Sequence, residues 1–176
     1  YLRNAARRRS LNEDIRMFSN SRNTNSFDVF LSHSFADRDI VAGIYNELHD
    51  LGLKDYVDLI VDPDLDRRNV TKESAERIRT RMASSKSLIY AFSVHSGFSK
   101  WMPWELGFVD ANTHKCAILP IAQVSGFSFN RTEYLKLYPI ITEEISTYNN
   151  KAKLALQESE TSVYCRSIKD WIEGRV

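Results

Sequence analysis

The chain has 176 residues, enough for one domain with its own hydrophobic core. Hydrophobic residues make up 43% and charged residues 27%, and a net charge of +1 gives no field that would draw nucleic acid or an anionic membrane. Cys116 and Cys165 have no CxxC partners and read as reduced thiols of a cytoplasmic protein, while no apolar run approaches the roughly 20 residues needed to cross a bilayer.

The chain begins at Tyr1 rather than Met and carries no signal-peptide pattern, so a further upstream segment stays open. Residues 1–25 are Arg-rich early and Asn/Ser-rich late. Leu11, Ile15 and Phe18 fall at near-helical spacing, which predicts a short helix, and the polar run after it predicts a linker. Arg7, Arg8 and Arg9 suit either an acidic partner or, as the favoured reading, a solvated helix face. Residues 26–176 read as the folded domain.

"FDVFLSHS" predicts a first strand, with Phe27, Val29 and Leu31 on one face and Phe30 on the other, as in a sheet covered on both sides. "ADRDIVAGIYNELHDLG" predicts a helix with Asp37 as N-cap and Gly52 at its end. "YVDLIV" then predicts a second strand, and "TKESAERIRTRMASS" a helix capped by Thr71. "SLIYAFS" predicts a third strand, "SKWMPWELGFVDANTH" a helix capped by Ser99, and "CAILPI" a fourth strand. "YPIIT" suits a fifth strand or a core-facing loop, and "SVYCRSIKDWIEG" predicts a closing helix. This rhythm predicts an α/β fold: a flavodoxin-like open sheet of about five parallel strands with helices on both faces. In such sheets ligands collect outside the carboxyl ends of the strands, which selects the polar loops "SHSFAD", "DPDLDRRN" and "SVHSGFS".

Several chemistries are unsupported. The sequence has no GxGxxG after the first strand, no P-loop, no GxSxG elbow and no His/Cys set at zinc spacing, so no metal is expected. A phosphoacceptor receiver domain would need an aspartate ending the third strand, where Phe92 and Ser93 stand. What remains is Glu105, a carboxylate among Trp101, Met102, Pro103, Trp104 and Phe108. Helical spacing puts Trp101, Glu105, Phe108 and Val109 on one side, near the strands' carboxyl edge. From the residues alone, two readings stand: an ion pair with Arg67, Arg68 or Lys100, or a functional carboxylate at a cleft.

In order and spacing, "FDVFLSHSFADRDIV", "YVDLIVDPDLDRR", "SSKSLIYAFSVHSGFSKWMPWELG" and "CAILPI" resemble a Toll/interleukin-1 receptor (TIR) domain of the bacterial type, from Phe27 to about Ile145 plus a final helix. The resemblance implies an NAD glycohydrolase that cleaves the nicotinamide–ribose bond, giving ADP-ribose or a cyclic ADP-ribose isomer in anti-phage signalling. NAD is then a substrate and no cofactor is implied. The resemblance makes Glu105 the catalytic carboxylate and Trp101 a wall of the substrate site. It adds Ser32, His33, Ser34 and Phe35 of the first loop, Tyr56 and Asp58 of the second strand, and Asp62 at the start of the loop running to Asn69. It further implies other TIR subunits as partners in a homo-oligomer or filament, with no nucleic acid and no membrane. The chain departs from the family pattern in carrying Met102 after Trp101, a second tryptophan at Trp104, and Leu59 after Asp58. The alternatives are a catalytically silent TIR–TIR scaffold and a deoxyribosyltransferase-like enzyme using the same lone glutamate. For His33, phosphate binding and a structural cap on the first strand both remain open.

Overall fold

The computed structural model describes residues 26–62, 71–121, 133–145, 152–159, 162 and 164–175. The N-terminal helix and linker expected over residues 1–25, and most of the loop between Asp62 and Asn69, lie outside these.

The described strands are β1 (Val29–Ser32), β2 (Asp55–Tyr56), β3 (Leu88–Phe92), β4 (Cys116–Pro120), β5 (Ile140–Ile145), β6 (Ala152–Gln157) and β7 (Cys165–Ser167). They form one sheet in the order β2-β1-β3-β4-β5-β6-β7. From β2 to β5 the pairing is parallel, as the βα rhythm predicts; β6 and β7 add an antiparallel wing. The helices are α1 (Arg38–Asp50), α2 (Asp58–Val61), α3 (Lys72–Ala83), α4 (Met102–Thr113) and α5 (Ile168–Glu173).

The sheet divides the core in two. Val29, Leu31, Ile89, Ala91, Ala117 and Leu119 point to one face, where α1 and α5 pack through Ile44, Leu48, Ile168 and Trp171. Phe30, Leu88, Tyr90, Phe92 and Ile118 point to the other, where α3 and α4 pack through Ile78, Met82, Met102, Leu106 and Val109. Each fully buried aliphatic side chain contributes about 1.5–3 kcal/mol of transfer free energy. The alternation holds within β1 but does not extend back to Phe27, which joins Phe30's face. Phe27 lies outside the ladder, tied by an isolated bridge to Ser85, so the two-residue period no longer governs it.

Three other expectations change. "YVDLIV" is not a continuous strand. Only its first residue, Tyr56, is in the ladder, which starts at Asp55, and the amides of Val61 and Asp62 then turn back to the carbonyls of Val57 and Asp58, making a helical turn that carries Asp58 off the strand. The closing helix is shorter than expected: Cys165–Ser167 pair with β6 before α5 begins. Strand β6 itself was not anticipated, because Ala, Leu, Lys and Gln are helix formers and only the spacing of Leu154 and Leu156 signals a strand.

The caps follow local chemistry. Thr71 caps α3 in a reciprocal box with Ser74. Gly52, at φ +75, takes the left-handed position after α1. Trp101, not Ser99, holds the N-cap position of α4; Ser99 Oγ still accepts the Met102 N–H at 3.3 Å. Pro103 sits in the first turn, where its missing N–H costs nothing.

Candidate active site

The strand order creates the crevice. β1 and β3 are neighbours, yet α1 leaves β1 towards one face of the sheet and α4 leaves β3 towards the other. The two connections diverge above the carboxyl ends of β1 and β3, and this switch point is where open α/β sheets commonly bind ligands.

Glu105 lies on the α4 side of this switch point, fully buried. Ser32, the last residue of β1 and likewise buried, donates its hydroxyl to Glu105 Oε2 at 2.6 Å. Ser32 has the same strand parity as Phe30, so β1 delivers it to Glu105's face. Tyr90, paired with Ser32 across the β1–β3 ladder, shares that face. Burial pushes the Tyr90 phenol far above its ordinary pKa, Tyr134 adds to this, and the Glu105 carboxylate is near enough to contribute. Tyr90 therefore stays a neutral hydroxyl beside Glu105. Sequence reading missed it, although a polar-tipped aromatic in a fully buried strand was the available sign.

Trp101 is half-buried one turn before Glu105, its ring edge-on to Trp104 at 5.3 Å. Trp104 belongs to the packing beneath, against Phe108 and under the Arg79 guanidinium at 5.5 Å. Ser34 is half-buried at the start of the turn after β1, and Phe35 is exposed with the Arg38 guanidinium 5.2 Å above its ring.

The other expected residues form separate groups. His33 is buried; its Nδ1 donates to the Leu31 carbonyl at 3.0 Å and its Nε2 stands 3.4 Å from Asp58 Oδ1. Those contacts tie the end of β1 to α2. Tyr56 is fully buried between Phe30 and Phe27, and its hydroxyl donates to Asp62 at 2.9 Å. Asp62 also receives a two-pronged bond from Arg81, at 3.0 and 3.3 Å. Arg81 lies over the rings of Phe27 and Tyr56. Sequence reading missed this cation, which falls three residues after the buried Ile78 and so on the inward side of α3.

A further cluster occupies the α1 wall. Asp37 stands at the N-cap position of α1 but makes no cap bond with its side chain. Its buried carboxylate instead accepts from Ser93 Oγ at 2.5 Å and meets His95 Nδ1 at 2.7 Å. Ser93 Oγ in turn accepts the backbone N–H groups of His95 and Ser96.

Both cysteines are free thiols, and burial pushes Cys116 up to about 12, so it is unreactive at neutral pH. Among the described residues no group of three or more His, Cys, Asp or Glu could hold a metal, and no helix is long and apolar enough to cross a membrane.

No family model matches the chain. The probable 3′ cyclic ADP-D-ribose synthase ThsB′ of Bacillus cereus is 41% identical over 148 residues, covering 84% of this chain and 76% of that protein. A putative cyclic ADP-D-ribose synthase, TIR2 of Cytobacillus dafuensis, is 28% identical over 91 residues, covering 51% of this chain and 24% of that protein. The crystal structure of the TIR domain of a Toll-related receptor from Hydra magnipapillata aligns with a TM-score of 0.44 at 17% identity, over 59% of this chain and 77% of its own. With 41% identity reaching across most of both sequences, the chain belongs to the bacterial TIR-domain family of cyclic ADP-D-ribose synthases.

Proposed function

We propose that the protein cleaves the nicotinamide–ribose bond of NAD and closes the remaining ADP-ribose into a cyclic isomer, with linear ADP-ribose as the competing product of water. The observation that carries this is the buried Ser32–Glu105 pair at the head of the β1–β3 crevice. Nicotinamide is cationic while bound to ribose and leaves neutral, so the reaction needs no acid on the leaving group, unlike an ordinary glycoside. It needs stabilisation of an oxocarbenium-like ribose. A carboxylate in a dry site does this well, because its field is weakly screened there. Ser32 holds Glu105 by a hydroxyl, which fixes the carboxylate without cancelling its charge.

Trp101 supplies an apolar wall beside the ribose, and Ser34 and Phe35 form the near lip of the site. Because Glu105 is shut off from solvent, substrate reaches it only after the covering side chains move. Contact with neighbouring TIR subunits is the expected trigger, in a cytoplasmic immune response to phage. Tyr56, Asp58 and Asp62 act by fixing the chain from β2 to the end of α2 against β1 and α3.

The test is to incubate concentrated protein with NAD and identify products by mass spectrometry. Nicotinamide and a cyclic ADP-ribose isomer are expected, both lost in Glu105→Gln. Absence of nicotinamide release, even under crowding, would favour the scaffold reading.

A further inference from the structure

Ser32 places its hydroxyl on Glu105 at 2.6 Å, and both residues are fully buried. Ser32 is also the last residue of β1, and the β1–β3 register ends at its pairing with Tyr90. A short, directional bond at the end of a strand depends on what fixes the backbone beyond it. His33 stands there, buried, with its ring held at two points. Nδ1 donates to the Leu31 carbonyl at 3.0 Å. That carbonyl shares a planar peptide unit with the Ser32 nitrogen, so the ring grips the plane from which the Ser32 side chain hangs. Nε2 stands 3.4 Å from Asp58 Oδ1, and the two side chains are 1% and 2% exposed. The ring cannot turn away from Leu31 without also leaving Asp58. Both ring nitrogens face protein oxygens in a buried setting, so neither is offered to a phosphate.

We propose that His33, braced by Asp58, is the positioning residue that keeps the Ser32 hydroxyl on Glu105. The contacts run from Asp58 to His33, to the Leu31–Ser32 peptide, to the Ser32 side chain and so to Glu105. Asp58 opens α2, and Arg81 clamps Asp62 at the other end of that turn. The same short segment is therefore tied both to α3 and to the catalytic corner. The consequence for turnover rests on the NAD-cleaving function proposed above, whereas the effect of His33 on the surroundings of Glu105 does not. A carboxylate that stabilises an oxocarbenium-like ribose works only if it is in place before the charge develops. A displacement of about 0.5 Å is enough to loosen such a site. A residue that acts only by orienting another has nothing left to contribute once the other is gone. Loss of His33 therefore lowers turnover rather than substrate affinity, and it does so only while Ser32 is present.

The experiment compares wild type, Ser32→Ala, His33→Ala and the double variant, each with its fold checked by circular dichroism, and measures nicotinamide release over a range of NAD concentrations. In His33→Ala kcat should fall about three- to tenfold while KM changes by less than about twofold, and the double variant should be no slower than Ser32→Ala. His33→Asn carries an amide N–H close to where the ring places Nδ1–H, and it should recover most of the lost kcat. Asp58→Asn keeps the ring but weakens its brace, and should move kcat the same way by less; it carries the test if His33→Ala does not fold. Losses that multiply in the double variant, or a raised KM at unchanged kcat, overturn the proposal, because His33 would then act independently of Ser32. A second readout needs no turnover. The Glu105 carboxyl carbon resonance, followed by NMR, should move in His33→Ala in the direction it moves in Ser32→Ala, and an unmoved resonance overturns the proposal. If wild type releases no nicotinamide, the functional reading fails, and the resonance still decides whether His33 holds the Ser32–Glu105 pair.

Discussion

Glu105 and Asp62 each accept a hydroxyl from a buried partner, and their surroundings differ. Glu105 takes Ser32 at 2.6 Å, and Asp62 takes Tyr56 at 2.9 Å. Asp62 also meets the Arg81 guanidinium on two atoms, so its charge is balanced where it stands. That corner joins the end of β2, α3 and the start of the following loop, and its geometry is that of an anchor. The Glu105 corner is drier: Glu105 and Ser32 are both fully buried, and the Ser32 hydroxyl fixes the carboxylate at the end of β1. A guanidinium clamp between α2 and α3 stabilises the fold, whereas a buried carboxylate held at the carboxyl end of β1 is placed to act on a passing cation if the proposed function holds.

The sharpest way to break this comparison is to exchange charge for amide at both sites. Glu105→Gln should lower nicotinamide release by about 10³-fold, the upper range for removing one preorganised electrostatic contact. Its urea midpoint should stay close to that of wild type. Asp62→Asn should do the reverse, costing about 2–3 kcal/mol of stability in urea unfolding, because Arg81 then stands partly buried without its counter-charge. If both variants lost stability and neither lost turnover beyond its unfolded fraction, the two corners would be equivalent and Glu105 merely structural.

A smaller effect is expected at Ser32. Ser32→Ala leaves the carboxylate in place without its 2.6 Å donor, so turnover should fall about tenfold while stability drops by about 1–2 kcal/mol. Steady-state kinetics beside a thermal melt would separate the two.

The smallest effect concerns Asp55 on β2. Burial pushes its carboxyl well above the ordinary value of 3.8, and the negative Asp28 adds to the shift. The folded state therefore holds a proton that the unfolded chain has released. Stability from this group is complete below pH 3.8 and declines as pH rises towards the raised folded value. Asp55→Asn should flatten that decline and gain about 1 kcal/mol near neutral pH, seen as a higher Tm at pH 7 with little change near pH 4.

Much of this was legible in the sequence. The βα alternation gives the parallel sheet because apolar runs on both strand faces need helices above and below. The register of "WMPWELGF" gives Glu105 its place near the strand ends, since helical spacing is local. The antiparallel wing was harder to read, because Ala152–Gln157 has helical composition and becomes a strand only by pairing with β5.

The partners were not legible. Ser32 and Glu105 are 73 residues apart, and Asp37 and His95 are 58 apart. Nothing in local propensity ties such pairs, and Asp37 reads along the chain as a plain helix cap. Likewise Tyr56 and Asp62 look like lining of an open site until Arg81, 19 residues on from Asp62, closes over them. The sequence by itself determined the parallel βα alternation from β1 to β4, the two-sided core and the candidacy of Glu105, because these follow from periodicities of a few residues. The tertiary structure decided which carboxylate Arg81 clamps, which one Ser32 holds at the end of β1, and that Asp37 turns from the helix end to Ser93 and His95. Those outcomes depend on the order of the strands in the sheet, which brings distant side chains within hydrogen-bonding reach.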